Sequence, residues 1–229
     1  YPELFMQLSK SNEFIFQPDW YRGIEYSKEQ ERGYASNEDL YVPGYFELPI
    51  KKGESVVFAA STSESSVRTL KKLFDEEVDK RSPRDNFFHC LVNAAHQFHV
   101  RGKGSERYLL AGYPWFKGRA RDTFIALPGL TLSIEENDYF QDAMATAAKG
   151  LREFMDGKPQ TVNIAELEHP DVPLWAIWCV QQYDKKVGTD DCITRYGKLV
   201  YDIIDYISAN KHPNLKLDSN GLLKTDGRT

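Results

Sequence analysis

Hydrophobic positions along the chain follow two different periods. Up to about residue 60 they come in short runs, Phe14-Ile15-Phe16, Trp20-Tyr21, Leu40-Tyr41-Val42, Tyr45-Phe46 and Val56-Val57-Phe58, separated by Pro18, Gly23, Gly33, Pro43-Gly44 and Lys52-Gly53. Short apolar runs between turn formers predict strands. About three to five strands of this length bury a face only against partners, so residues 1–60 read as the last strands of a β-sandwich with further strands expected upstream. After Ser61 the period becomes helical. Ser61 and Glu64 form a capping-box pair ahead of Val67, Leu70, Phe74 and Val78. Ser82-Pro83 opens a second helix, whose stripe is Phe87, Phe88, Leu91, Val92, Ala95 and Phe98. A third, capped by Ser133 and Glu136, carries Tyr139, Phe140, Ala143, Met144, Ala147, Leu151 and Phe154, and stops near Gly157 and Pro159. Another runs from Pro173 through Leu174, Trp175, Ile177, Trp178 and Tyr183 to Gly188. The last carries Ile193, Tyr196, Leu199, Val200, Ile203, Ile204 and Ile207 and ends before His212-Pro213. Successive helices of roughly 15 to 20 residues joined by loops predict helical hairpins over residues 61–229.

Composition narrows the function classes. With 229 residues, 41% hydrophobic and 28% charged, the chain has room for a sizeable core and does not have the composition of a disordered segment. A net charge of −5 disfavours nucleic acid and anionic membrane as partners. No apolar run approaches a membrane span or a signal peptide. Cys90, Cys179 and Cys192 are odd in number and lack metal-like spacing, so they read as buried free thiols in a reducing compartment, the cytoplasm. Because the chain opens at Tyr1 and stops at Gly227-Arg228-Thr229, it is expected to be a piece of a longer protein.

Chemistry concentrates between Ala111 and Leu130. Tyr113, Trp115, Phe116, Arg119, Arg121 and Asp122 crowd one Gly/Pro-punctuated loop that runs into an apolar segment from Thr123 to Leu132. Aromatic faces beside carboxylate and guanidinium groups suit sugars, whose C–H faces stack while their hydroxyls take charge-assisted hydrogen bonds. Asp122, at the change from polar to apolar, is either a structural partner of an arginine or a proton donor. Asp171, just before a helix start, is either an N-cap or a hydroxyl ligand beside Trp175. His89, His96 and His99 share a helix with no carboxylate to complete a metal set, so neither a metal nor another cofactor is expected.

The 111–130 stretch also resembles a known family. Ala111-Gly112-Tyr113-Pro114-Trp115-Phe116, then Arg121-Asp122-Thr123-Phe124-Ile125-Ala126-Leu127-Pro128-Gly129-Leu130, is similar to the glycogen debranching enzyme family in its amylo-α-1,6-glucosidase domain. Trp20-Tyr21 through Arg32-Gly33-Tyr34 and Glu38-Asp39-Leu40, and Asp171-Val172-Pro173-Leu174-Trp175, extend the likeness over nearly the whole chain. The resemblance implies an α+β multidomain protein: a β-sandwich end followed by the first half of an (α/α)6 toroid. It further implies inverting hydrolysis of the α-1,6-linked glucose at branch points of glycogen or a related α-glucan. Asp122 would be the general acid, and Tyr113, Trp115, Arg121, Asp171 and Trp175 would line the glucose pocket. One departure is Arg119-Ala120, where the family usually has Trp-Gly. About six or seven helices are visible where a ring of six hairpins takes about twelve, so the rest of the polypeptide is expected to complete the toroid and supply the base. A non-catalytic glucan-binding module, or another glycosidase on the same ring such as a glucoamylase-like or trehalase-like enzyme, fits the same residues.

Overall fold

Pairing joins the short aromatic runs into longer ribbons. In the computed structural model, which describes residues 3–10, 13–113 and 116–225, the chain forms two compact units, Tyr1–Arg81 and Ser82–Thr229. In the first, β1 (Phe5–Leu8) pairs antiparallel with the later β4 (Phe58–Ser61). Between them β2 (Glu13–Glu25), the short helix α1 (Ser27–Glu31) and β3 (Asn37–Glu47) make a second antiparallel pair. The five short runs of the sequence are therefore not five strands. Phe14 to Phe16 and Trp20-Tyr21 share β2, and Leu40 to Val42 and Tyr45-Phe46 share β3. Between runs the ladder shifts register, once around Pro18 and once around Gly23. Proline has no N–H to give a ladder, which confines it to such irregularities. At Gly44 only glycine fits, since φ is +154° and a Cβ would stand 2.1 Å from the Ile15 carbonyl oxygen. Cross-strand rings, Phe14 on Phe46 at 5.1 Å and Trp20 on Tyr41 at 5.4 Å, hold the ribbon. Helix α2 (Leu70–Asp79) follows a 3-10 turn at Val67–Thr69. The expected capping box is absent, because Ser61 ends β4 and its hydroxyl accepts from the Ser63 N–H.

The second unit begins with α3 (Phe87–Gln97) and the hairpin of β5 (His99–Arg101) and β6 (Arg107–Leu109). Two strand-helix-helix passages follow: β7 (Gly118–Arg119), α4 (Ala120–Leu130) and α5 (Asn137–Met155), then β8 (Ile164–Ala165), α6 (Val172–Val187) and α7 (Thr189–Ser208). A closing hairpin of β9 (Leu215–Leu217) and β10 (Leu223–Thr225) ends the described chain. Because β7 and β8 pair in parallel, α4 and α6 leave the same edge side by side.

Three helix starts depart from the sequence reading. Helix α3 begins at Phe87 rather than Pro83, since Asn86, in extended conformation, accepts the His89 N–H at 2.8 Å. Ser133 caps nothing: it lies in a 3-10 turn, Leu132–Ile134, and its hydroxyl reaches back to the Gly129 carbonyl at the open end of α4. The 1–81 unit supplies the third, α2. The broad stripe expected on α3 is also thinner, with Phe87, Phe88 and Leu91 exposed and only Asn93 and Ala95 buried. Cys90 is exposed for the same reason, whereas Cys179 and Cys192 are buried.

Hydrophobic burial between the two passages makes the core. Phe124 and Leu127 of α4, Phe140, Met144 and Leu151 of α5, Val172, Ala176 and Tyr183 of α6, and Leu199 and Ile203 of α7 are all but inaccessible. Phe140 stacks on Tyr183 at 4.9 Å, and Tyr183 meets Tyr196 edge-on at 5.1 Å. The Tyr183 hydroxyl donates to Asp191 at 2.7 Å and accepts from Gln141 at 3.0 Å, so a buried phenol is satisfied. No helix among the described residues is long and apolar enough to cross a membrane.

Two glycines and a histidine test this packing. A Cβ on Gly150 of α5 would stand 2.7 Å from a Val162 methyl and 3.3 Å from Leu167, whereas one on Gly197 of α7 meets only Ile193 at 3.5 Å. Gly150→Val is expected to destabilise by about 1–3 kcal/mol, and Gly197→Ala to stabilise by about 0.5–1 kcal/mol; urea unfolding checks both signs. His212 is fully buried against Phe154 and Tyr206, and burial, aided by Lys216, pushes its pKa down. Its charged form is favoured in the unfolded chain, so stability is fully present above its ordinary value of 6.5 and falls as pH drops below it. Melting curves from pH 7.5 to 5 should show this loss, and His212→Phe should flatten part of it.

Candidate active site

The motif residues sit where α4 leaves β7. Upstream, the loop folds back on itself: the Phe116 N–H donates to the Gly112 carbonyl at 3.1 Å and the Ala111 N–H to the Lys117 carbonyl at 3.2 Å. Trp115, expected in the pocket, lies outside the described residues. Helix α4 then starts directly at Ala120, with Asp122 in its first turn, where a carboxylate is favoured by the helix dipole. Helix α6 starts at Val172 with Asp171 in the N-cap position.

Three of the expected residues converge between these helix starts. The Arg121 Nη2 donates to Asp171 Oδ1 at 3.0 Å, and Arg121 Nε lies 2.8 Å from Oδ2. The Trp175 indole N–H donates to the same Oδ2 at 3.1 Å. Asp171 therefore does not cap its helix through its side chain; its backbone is already α-helical and its carbonyl accepts the Trp175 N–H at 2.9 Å. The pair is thus held by one hydrogen bond and one close charge contact, since the buried Nε makes no hydrogen bond of its own. Trp175 in turn meets Trp178 edge-on at 5.5 Å.

Asp122 stands apart from this cluster. Its side chain is exposed and, among the described residues, has no hydrogen bond or ion pair. Both nearby guanidinium groups are engaged elsewhere, Arg121 with Asp171 and Arg119 with Glu166 at 3.0 Å. The Arg–Asp pair that the sequence left open is thus Arg121 with Asp171. Asp122 instead lines a groove of about 430 Å³ whose other walls are apolar, among them Phe98, Leu109, Ile125 and Leu130. Phe98 is a residue that periodicity had assigned to a helix stripe. It comes just past the end of α3, and its ring lies 6.4 Å from that of Tyr113, whose hydroxyl donates to the Gln97 carbonyl. Tyr113 is thereby held beside Phe98, the aromatic residue that lines the groove, and not in the Asp171 cluster.

The histidines take structural partners. His89 Nδ1 lies 2.6 Å from Asp85, His96 Nε2 3.3 Å from Glu136, and His99 Nε2 3.0 Å from the Leu130 carbonyl. His99 also stacks on Tyr139 at 3.9 Å, and burial lowers its pKa. Among the described residues no group of three or more His, Cys, Asp or Glu is arranged to hold a metal ion.

Comparison with known families agrees with the motifs. Residues 1–57 match the family model described as glycogen debranching enzyme N terminal, and residues 93–229 match the one described as amylo-alpha-1,6-glucosidase. No curated protein and no solved structure matches the chain.

The Arg121–Asp171 link is testable by a double-mutant cycle. With both side chains about a third exposed, solvent screening limits the pair, and a coupling energy of about 1 kcal/mol is expected between Arg121→Ala and Asp171→Ala. Additive losses would mean that the two groups do not act together.

Proposed function

Since the chain belongs to the glycogen debranching enzyme family, a family of glycoside hydrolases, we propose that it carries the acid half of an active site that cleaves α-1,6-linked glucose from branch points of glycogen or a related α-glucan. Asp122 is the general acid. The observation that carries this reading is the state of its carboxyl group: exposed on a groove, free of ion pairs among the described residues, with both neighbouring arginines bound to other carboxylates. With a glucosyl unit seated over it, the carboxyl group hands its proton to the departing glycosidic oxygen as the C–O bond breaks. Tyr113 and Trp115 provide aromatic surface, while Arg121, Asp171 and Trp175 form an oriented polar wall for the glucose hydroxyls. Inversion requires a base roughly 6.5–9.5 Å across the sugar to activate water. Among the described residues Asp122 is the one carboxylate lining the groove, and we assign the base to a residue outside that lining. We place the two passages β7-α4-α5 and β8-α6-α7 as successive hairpins of an (α/α)6 ring and the first unit as the end of a β-sandwich. The free cysteines are consistent with a cytoplasmic site of action.

A non-catalytic glucan-binding module is the second reading, favoured by that same single carboxylate. Asp122→Asn in the full-length protein separates the two. Glucose release from a limit dextrin should fall by about two to four orders of magnitude, the usual contribution of general acid catalysis, with binding retained. Turnover above a tenth of the original removes Asp122 from the acid role, and a wild-type protein that binds glucan without releasing glucose supports the module. The isolated 229-residue chain is expected to release none; measurable release would place the base within it.

A further inference from the structure

The ion pair of Arg119 and Glu166 lies on the same edge as the candidate site, and nothing above gives it a function. Parallel pairing of β7 with β8 sets Arg119 opposite Ala165, so Glu166 follows immediately on the neighbouring strand. Arg119 Nη2 lies 3.0 Å from Glu166 Oε1, and the guanidinium carbon sits 4.8 Å from the Phe116 ring centroid. Both side chains remain part-exposed, at 39% and 29%. A guanidinium has five N–H donors and a carboxylate about four acceptor positions, so this single contact leaves most of both unused.

Resting on the glycosidase reading, we propose that Arg119 and Glu166, with Phe116 beneath the guanidinium, form a second subsite that binds vicinal hydroxyls of the glucan chain next to the glucose held at Asp122. The charges of the pair offset each other, so the shelf has little attraction for an anion and suits an uncharged ligand rich in hydroxyls. Adjacent hydroxyls of a glucosyl unit can accept from Arg119 and donate to Glu166 in one plane. The Phe116 ring and Glu166 hold that plane before the sugar arrives, which lowers the ordering cost of binding. Glu166 also has a left-handed backbone, φ +63°, which a glycine adopts without strain. A purely structural residue at that position gains from being glycine, whereas a hydroxyl ligand does not.

Glu166→Gly in the intact protein exploits this difference. With maltopentaose carrying one α-1,6-linked glucose as the probe, KM should rise about tenfold, the loss expected for a charge-assisted hydrogen bond, with a smaller change in kcat. The melting temperature should stay the same or rise. Unchanged KM with a lowered melting temperature overturns the subsite and leaves the assignment of Asp122 intact. A wild-type protein that binds the probe without turnover overturns the hydrolase reading instead, and calorimetric affinity then reads the same roughly tenfold loss. Arg119→Gln tests the contact from the other side should the glycine variant not fold.

Discussion

The parallel two-residue pairing of β7 with β8 is the constraint on which the site depends. It is small, joining only Gly118 to Ile164 and Arg119 to Ala165, yet it brings the first turns of two helices to one edge. Gly118 permits it, because a Cβ there would approach the Asn163 carbonyl oxygen to 3.2 Å. Arg121 on one helix start and Asp171 at the other then lock the geometry, with Trp175 as a second donor. Behind this edge the Phe140, Tyr183 and Tyr196 rings and the aliphatic core keep the helices from sliding. Local polar contacts therefore choose the arrangement, and burial of apolar area stabilises it.

One consequence is a division of labour among charges. Successive residues of a helix point about 100° apart, so Arg121 faces Asp171 while Asp122 projects toward the groove beside Phe98. Asp171 engages Arg121, while Asp122 carries no ion pair among the described residues. The same holds one step away, where Glu166 occupies Arg119.

Much of this was legible in the sequence, and what was not has physical reasons. The stripes on α5, α6 and α7 gave their spans within a few residues because long helices bury one face against a core and terminate at Gly157, Gly188 and the turn before His212. Serine-based caps failed, since a serine with a nearer backbone partner, such as Gly129 for Ser133, has no reason to bond forward. Strand breaks were misread at Pro18 and Pro43-Gly44, because a proline or glycine inside a two-stranded ribbon marks a bulge or close approach as readily as a turn. Composition singled out the 111–130 loop as the place where aromatic, guanidinium and carboxylate groups crowd together. It did not single out the loop's partners: Asp171 is fifty positions from Arg121, and no local pattern says which arginine takes which carboxylate.

Arg119 bears most directly on how this rim differs from the family pattern, where Trp-Gly precedes Arg-Asp. Here the Arg119 guanidinium lies over the Phe116 ring, three residues earlier, at 4.8 Å from its centroid. A charge is thereby set on an aromatic face. Glu166 offsets that charge at 3.0 Å, and it does so from a backbone conformation that costs free energy for any residue other than glycine. Arg119 and the strained Glu166 are thus two parts of one electrostatic arrangement, in which the charge at the β7 edge is offset by a residue just past the end of β8.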